Sequence, residues 1–475
     1  MATVDAASES ASSASLRFPA QFVWGAATSS YQIEGATEAD GRGDSIWDRF
    51  CRLPGRIADG SDGAVACDHF HRWRDDIGMM SALGLTGYRF SVAWPRVMPD
   101  GRGRVNSRGL DFYERLVDAL LDAGITPYPT LYHWDLPQAL EDRGGWTARS
   151  TAVAFAEYTE AVVDRLGDRV QDWMTINEPY VVANHGYLTG EHAPGRRSVA
   201  ESLAASHHLL LAHGLALDRI RRVVPAARAG IVLNFTPVTP VGTSSEAVDR
   251  QRLADELENR WFIDPIIGRG YPTWAAERLG WDRTEVLLGD LELIAAPIDV
   301  LGINFYTRQQ VGAFDGERAE LPEAETAMGW EVHPASLGSL LHELHERCAF
   351  PRYLITENGA AMPDDDRVDG AIVDHDRIDY LAAHLDQVHR AITAGMPIEG
   401  YFVWSLLDNF EWAHGYGPSF GIVEVDFETQ QRIPKASAHW YSQVARTNTL
   451  PPPAFAELGG AHGIARSAMA ELHGG

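Results

Sequence analysis

The chain carries a single lysine, Lys435, against 39 arginines. The imbalance reads as a compositional bias of the source and not as a functional signal. Cysteine is scarce too: Cys51, Cys67 and Cys348 are odd in number and lack any close metal or redox spacing, which argues against a disulfide scaffold. A reducing compartment, the cytoplasm, is the simplest expectation. No run of 18 or more apolar residues occurs, so no ordinary membrane-spanning helix is indicated. Positive charge is short overall, with 40 basic against 66 acidic residues and a net charge of -26. Without a dense basic stripe, neither nucleic acid nor an anionic membrane is an expected partner. The local cluster Arg219, Arg221 and Arg222 reads as a solvated face near a helix C-terminus, where cations are favoured.

Linker-like low-complexity stretches and short repeats are also absent between the two tails. The start, residues 1–16, has no basic segment followed by an apolar one and reads as a disordered leader. Residues 449–475, opening on Pro451 to Pro453 and closing on two glycines, read as a C-terminal appendage. A single domain over 17–448 remains. Its composition, 45% hydrophobic and 22% charged, is that of a globular protein with a sizeable core.

Short apolar runs that end in polar residues recur along this domain, at 22–27, 87–91, 126–131, 172–177, 229–234, 299–304, 353–357 and 398–404. Each is a strand candidate. Helical patterns fall between most of them, among them WRDDIGMMSALG, GLDFYERLVDALLDAG, ARSTAVAFAEYTEAVVDRLG, LLLAHGLALDRIRRVV, LGSLLHELHERC and RIDYLAAHLDQVHRAITAG, several closed by a glycine suited to a left-handed cap. Alternation of this kind predicts an α/β fold, a (β/α)8 TIM barrel with long loops after its strands.

In that fold chemistry sits at the C-terminal strand ends. Those positions hold Gln32, Arg89, His133, Trp134, Asn177, Glu178, Asn304, Tyr306, Glu357 and Trp404, with Glu411 and Trp412 in the last loop. Two carboxylates stand in similar short contexts, TINEP around Glu178 and ITENG around Glu357. A carboxyl pair facing one ring is what glycosidic cleavage needs, one to protonate the leaving oxygen and one to attack or to activate water. Glu178, with no arginine nearby in sequence, suits a desolvated and protonated acid; Glu357 suits the charged partner if Arg89 and Tyr306 reach it. Trp134, Trp330, Trp404, Trp412 and Phe420 offer platforms for apolar sugar faces, although core packing accounts for a lone tryptophan equally well. Glu411 directly before Trp412 favours ligand contact. His69 and His71 of DHFH, and the pair His207 and His208, read as structural; no metal is expected. No dinucleotide or P-loop glycine pattern occurs, so no cofactor is expected either.

The motifs FVWGAATSSYQIEGA, GYRFSVAWPRV, TLYHWDLPQAL, TINEP, GINFYT, MGWEVHP, LITENGA, FVWSLLDNFEWAHGY and FGIVEVDFETQQRIPKAS, in that order, make the chain resemble the glycoside hydrolase family 1 β-glucosidases. The resemblance spans about residues 18 to 448. It implies a retaining exo-β-glycosidase in which Glu178 is the acid/base and Glu357 the nucleophile. It similarly implies Gln32, His133, Asn177, Glu411 and Trp412 on the sugar hydroxyls, Trp404 beneath the ring, and Arg89 and Tyr306 as supports for the nucleophile. The substrate implied is a small β-D-glucoside, or a β-D-galactoside or β-D-fucoside, in carbohydrate metabolism such as cellulose degradation. Relatives acting on 6-phosphorylated sugars replace the EW pair and place a lysine in the following loop; here Glu411 is a carboxylate expected to repel phosphate, and that loop has no lysine. Ser419, where many relatives carry a basic residue before the phenylalanine, leaves preference at the sugar 6-position open. The aglycone side is expected near Trp330, His185 and NFTPVTP. A transglycosylase would use the same residues, and a noncatalytic sugar receptor on the same barrel would typically lose one of the two carboxylates.

Overall fold

In the computed structural model, residues 15–314, 322, 324–368 and 370–451 are described. Every expected strand forms: β1 (Val23–Ala27), β2 (Gly87–Ser91), β3 (Thr126–Tyr132), β4 (Asp172–Asn177), β5 (Arg228–Asn234), β6 (Val300–Asn304), β7 (Tyr353–Asn358) and β8 (Ile398–Trp404). They join in sequence order into a closed parallel barrel, sealed where β8 runs beside β1 with Gly400 opposite Val23 and Trp404 opposite Ala27. The strands are apolar runs because both faces are covered, one by helices and one by the barrel interior.

That interior is filled, not hollow. Tyr128, Met174, Val232, Val300, Leu354 and Phe402 form one buried cluster. Tyr128 and Phe402 meet edge to face at 4.9 Å. Phe402 finds its room over Gly25, where an added Cβ would fall 2.4 Å from the ring. A bulky residue on one strand is thus matched to the smallest residue on its neighbour.

Outside the barrel the expected helices appear as His69–Leu83, Ser107–Asp122, Arg149–Leu166, Val199–Val223, Pro334–Arg347 and His375–Thr393. In Ser107–Asp122 the buried Leu110, Tyr113, Leu116, Val117 and Leu120 form one stripe at helical spacing. Gly84 does close its helix in the left-handed region, at φ 76°. Gly167 instead stays right-handed. Val199–Val223 starts well before the LLLAHG run, with the Ser198 hydroxyl accepting from the backbone N–H of Glu201. Arg221 and Arg222 lie in its last turn, and Arg219 pairs with Glu160. The sequence did not reveal Ala436–Thr447 after β8, nor Ser245–Asp255 between β5 and β6. The latter buries only Ala247, so it has no apolar stripe to read.

The two ends of the described segment meet in an antiparallel clasp of Leu16–Arg17 with Thr449–Leu450. Leu16, Thr449 and Leu450 therefore belong to the folded body, although the sequence placed them in the flanking segments. The remainder of those segments, 1–14 and 452–475, lies outside the described residues.

Two irregularities bear on function. The β4–β5 register shifts between Met174 and Asn177, and β7 shifts against β6 between Ile355 and Glu357. A bulge at a strand end re-aims the side chains beyond it. The shifts fall where Glu178 and Glu357 leave the barrel.

Leu354 is fully buried in the barrel interior. Leu354→Ala is expected to destabilise the fold by about 2–5 kcal/mol, seen as a lower urea midpoint. An unchanged midpoint would show that this interior is not packed as described.

Candidate active site

Glu357 comes off β7 almost wholly buried, and two donors hold its two oxygens. Arg89 Nη1, from β2, donates to Oε1 at 2.6 Å, and the Tyr306 hydroxyl donates to Oε2 at 2.5 Å. The expected supports thus reach it. Burial, and then the charge of Glu357, push the Tyr306 phenol well above its ordinary value, so it remains a donor. Arg89 does more than pair: Nη2 donates to Asn177 Oδ1 at 2.6 Å, Nη1 also to the Thr356 carbonyl, and Nε to Thr130 Oγ1. Breaking such a buried pair from one side typically costs about 3–5 kcal/mol.

Glu178 is buried too, but no cation touches it. Its Oε1 accepts from Asn304 Nδ2 at 2.6 Å, and the same amide also reaches Asn177 Oδ1 at 3.0 Å. Burial, and then the negative charge of Glu357, push its carboxyl up to about 8. The backbone of Glu178 is left-handed, at φ 48°. Trp134 and Trp412, also at the site, sit at φ 80° and 50°. Such backbone costs a residue bearing a Cβ about 1–2 kcal/mol and is held in place by the surrounding packing.

A third carboxyl, Glu411, faces the same space from the loop after β8. Burial and the charge of Glu357 push it up to about 8 as well. Both buried acids are thus biased toward their protonated forms by the charge of Glu357, which bears on the expectation of a carboxylate at Glu411. Gln32 backs Glu411, its Nε2 bonding Asn409 Oδ1 and the Phe410 carbonyl at 2.9 Å and Glu411 Oε2 at 3.4 Å. His133 is held well below its ordinary value by burial and by Arg89, so it is neutral; its Nε2 meets Asn177 Nδ2 at 3.1 Å.

These groups surround a cavity of about 450 Å³. Aromatic rings form its sides. Trp412 packs on Trp134 at 4.6 Å and is backed by Trp47 at the same distance, while Trp404 stacks with His133 at 5.8 Å. Opposite, Trp330 lies 5.4 Å from Tyr306 and 6.0 Å from Phe420. A volume of this size with few convergent polar groups suits a small organic ligand.

Of the expected residues, His133, Trp134, Glu178, Asn304, Tyr306, Trp330, Glu357, Trp404, Glu411, Trp412 and Phe420 line the cavity. Gln32, Asn177 and Arg89 stand behind this lining, buried in the network just described. His185 and Asn234–Thr236 line it on the expected aglycone side. The sequence missed Tyr180, His192, Glu258, Met328 and His414, all on the wall. Tyr180 directly follows Pro179 of TINEP and was within reach of that motif; His192, Met328 and His414 come from loop segments without periodicity, and Glu258 from the helical turn Glu256–Arg260 that continues the polar helix Ser245–Asp255. His69 is buried on Asp76 at 2.8 Å, and His207 lies between Tyr271 and Asp290, away from this cavity.

A closed (β/α)8 barrel with an acid and an anion facing one aromatic cavity defines a glycoside-cleaving class of protein. A family model described as "Glycosyl hydrolase family 1" matches residues 14–450, and the chain belongs to that family. Its relatives include "Thermostable beta-glucosidase B" of Thermobispora bispora, 50% identical over 92% of each chain. "Beta-glucosidase A" of Thermotoga maritima is 46% identical, over 91% of this chain and 99% of its own. A solved structure, "Family 1 b-glucosidase from Thermotoga maritima in complex with isofagomine lactam", superposes with a TM-score of 0.87 at 46% identity, covering 92% of this chain and all of the other.

The proton on Glu178 sets the expected pH profile. If it must be donated, kcat/KM falls as pH rises through about 8, the value to which that group is raised. A dinitrophenyl glycoside needs no acid, so this limb is expected with an alkyl glycoside and not with the dinitrophenyl one; a limb that persists with both would belong to another group, such as Glu411. Tyr306→Phe removes one of two donors to Glu357. It is expected to lower kcat/KM on the order of 10² with little change in melting temperature, and wild-type kinetics would remove Tyr306 from the site.

Proposed function

We propose that the protein is a retaining, exo-acting β-glycosidase that releases terminal non-reducing β-D-glucosyl residues. The carrying observation is the unequal environment of two carboxyls at one cavity: Glu357 between Arg89 and Tyr306, Glu178 buried beside Asn304 with no cation contact.

In the first step a Glu357 oxygen bonds to the anomeric carbon as the glycosidic C–O bond breaks. The proton of Glu178 passes to the leaving oxygen. Once Glu357 is an ester its charge is gone, and with it part of what raised Glu178. Glu178 then serves as a base, taking a proton from the water that attacks the anomeric carbon and frees Glu357. One group acts as acid and then as base because its neighbour's charge changes between the steps. Two opposed displacements return the β configuration.

Trp404, Trp412 and Trp134 provide the apolar faces for the sugar, and His133, Glu411 and Asn304 the hydroxyl partners. The contacts of Gln32 and Asn177 with hydroxyls remain part of this reading, although both amides stand one layer back. Exo action fits a cavity that ends on the packed barrel interior. The aglycone fits between Trp330, Tyr180, His185 and Thr236. An unphosphorylated sugar is favoured, since the one ammonium near this loop, that of Lys435, is buried among carboxylates away from the cavity wall. β-D-fucosides and β-D-galactosides, a cytoplasmic location and a part in cellulose breakdown complete the reading; free Cys51, Cys67 and Cys348 suit a reducing compartment.

The roles separate experimentally. Glu357→Ala is expected to abolish turnover of all glycosides. Glu178→Ala should retain the first step for aryl glycosides with good leaving groups, and azide should accelerate the second step by displacing Glu357 from the anomeric carbon, giving a β-glycosyl azide. Equal loss in both variants without azide rescue would reject the assignment. Product analysis by NMR at high substrate concentration separates hydrolysis from transfer to a second sugar.

A further inference from the structure

The chain uses arginine at 39 of its 40 basic positions, and the exception is Lys435, just ahead of the helix Ala436–Thr447. Its side chain is wholly buried. Nζ donates to Asp364 Oδ2 at 2.5 Å, to Asp408 Oδ1 at 2.9 Å and to Ser419 Oγ at 2.7 Å. Three N–H donors meet three oxygens, so the ammonium is satisfied without water. A planar guanidinium, larger and with five donors, does not fit that arrangement. Where arginine would serve, this chain has arginine.

What the ammonium joins matters for the site. Asp408 and Ser419 lie toward the two ends of the loop between β8 and the strand Val423–Asp426. Between or beside them are Glu411, Trp412, His414 and Phe420, all on the cavity wall. Asp408 Oδ1 also accepts from Ser419 Oγ at 2.7 Å and from the Gly421 N–H at 2.8 Å. Asp364, from the loop after β7, binds buried Arg377, whose Nη2 donates to the Ser419 carbonyl at 2.8 Å. The loop's two ends are thus held to each other and to the β7 loop around one buried amine.

We propose that Lys435 is a positioning residue of the sugar pocket: its ammonium staples Asp408 to Ser419 and so fixes Glu411, Trp412 and Phe420 against the bound sugar. The inference rests on those three residues being the sugar wall. It gives the lone lysine a function beyond the compositional bias read from the sequence, and it gives Ser419 one, since its hydroxyl meets the amine.

The test compares wild type with Lys435→Arg, Ser419→Ala and Glu411→Ala at 25 °C, measuring circular dichroism, melting temperature, kinetics on 4-nitrophenyl β-D-glucoside and inhibition by deoxynojirimycin. A displaced wall should raise KM and the inhibition constant together, by about ten-fold in Lys435→Arg and several-fold in Ser419→Ala, with a smaller change in kcat. A folded Lys435→Arg with a lower melting temperature but wild-type KM and inhibition constant would mean a purely structural role and overturn the proposal. If Lys435→Arg does not fold, Ser419→Ala decides alone: raised constants support the staple and unchanged ones overturn it. Unchanged constants in Glu411→Ala would instead reject the pocket assignment, whatever the Lys435 variants do.

Discussion

One buried guanidinium organises the site. Arg89 reaches Glu357, Asn177, Thr356 and Thr130 from the middle of β2, so a single side chain touches groups on β3, β4 and β7. A rigid fork of donors suits this, because each bond fixes the direction of the next. Asn177 and Asn304 carry the network on to Glu178, which is held relative to Glu357 without any cation of its own. Reacting groups must be placed within tenths of an ångström, and a barrel end supplies the rigid frame for that.

The same frame distributes protons unequally. Of the five carboxyl groups on the cavity wall, Glu178, Glu357 and Glu411 act on one another, and among these three only Glu357 has a guanidinium and a phenol against it. Glu178 and Glu411 are both raised, first by burial and then by the Glu357 charge. Like charges in a shared site cannot all be ionised cheaply. The division into acid and anion is therefore a property of the group of three and not of any one glutamate.

Much of this was legible in the linear chain. The eight barrel strands announced themselves because strands buried on both faces are nearly continuous apolar runs, and observed bounds such as Gly87–Ser91 and Asp172–Asn177 coincide with the expected ones. Glu178 and Glu357 were visible as charges at the ends of such runs. Ser245–Asp255 was not, because a polar helix on the surface has no stripe. His192 and His414 were hidden because long loops reach the cavity by routes that no local period encodes, and Glu258 because it continues that same polar helix.

Hydrophobic pattern carries the barrel and its strand ends, and short motifs single out Glu178 and Glu357 as the candidate pair. Only in the fold does it emerge that Arg89 and Tyr306 hold Glu357, that Glu178 and Glu411 are both raised, and that Lys435 sits beneath the last loop. The physical reason is shared. Burial and the charge of a neighbour act through space, and Arg89 lies 268 positions from Glu357 in the chain but 2.6 Å from it in the fold.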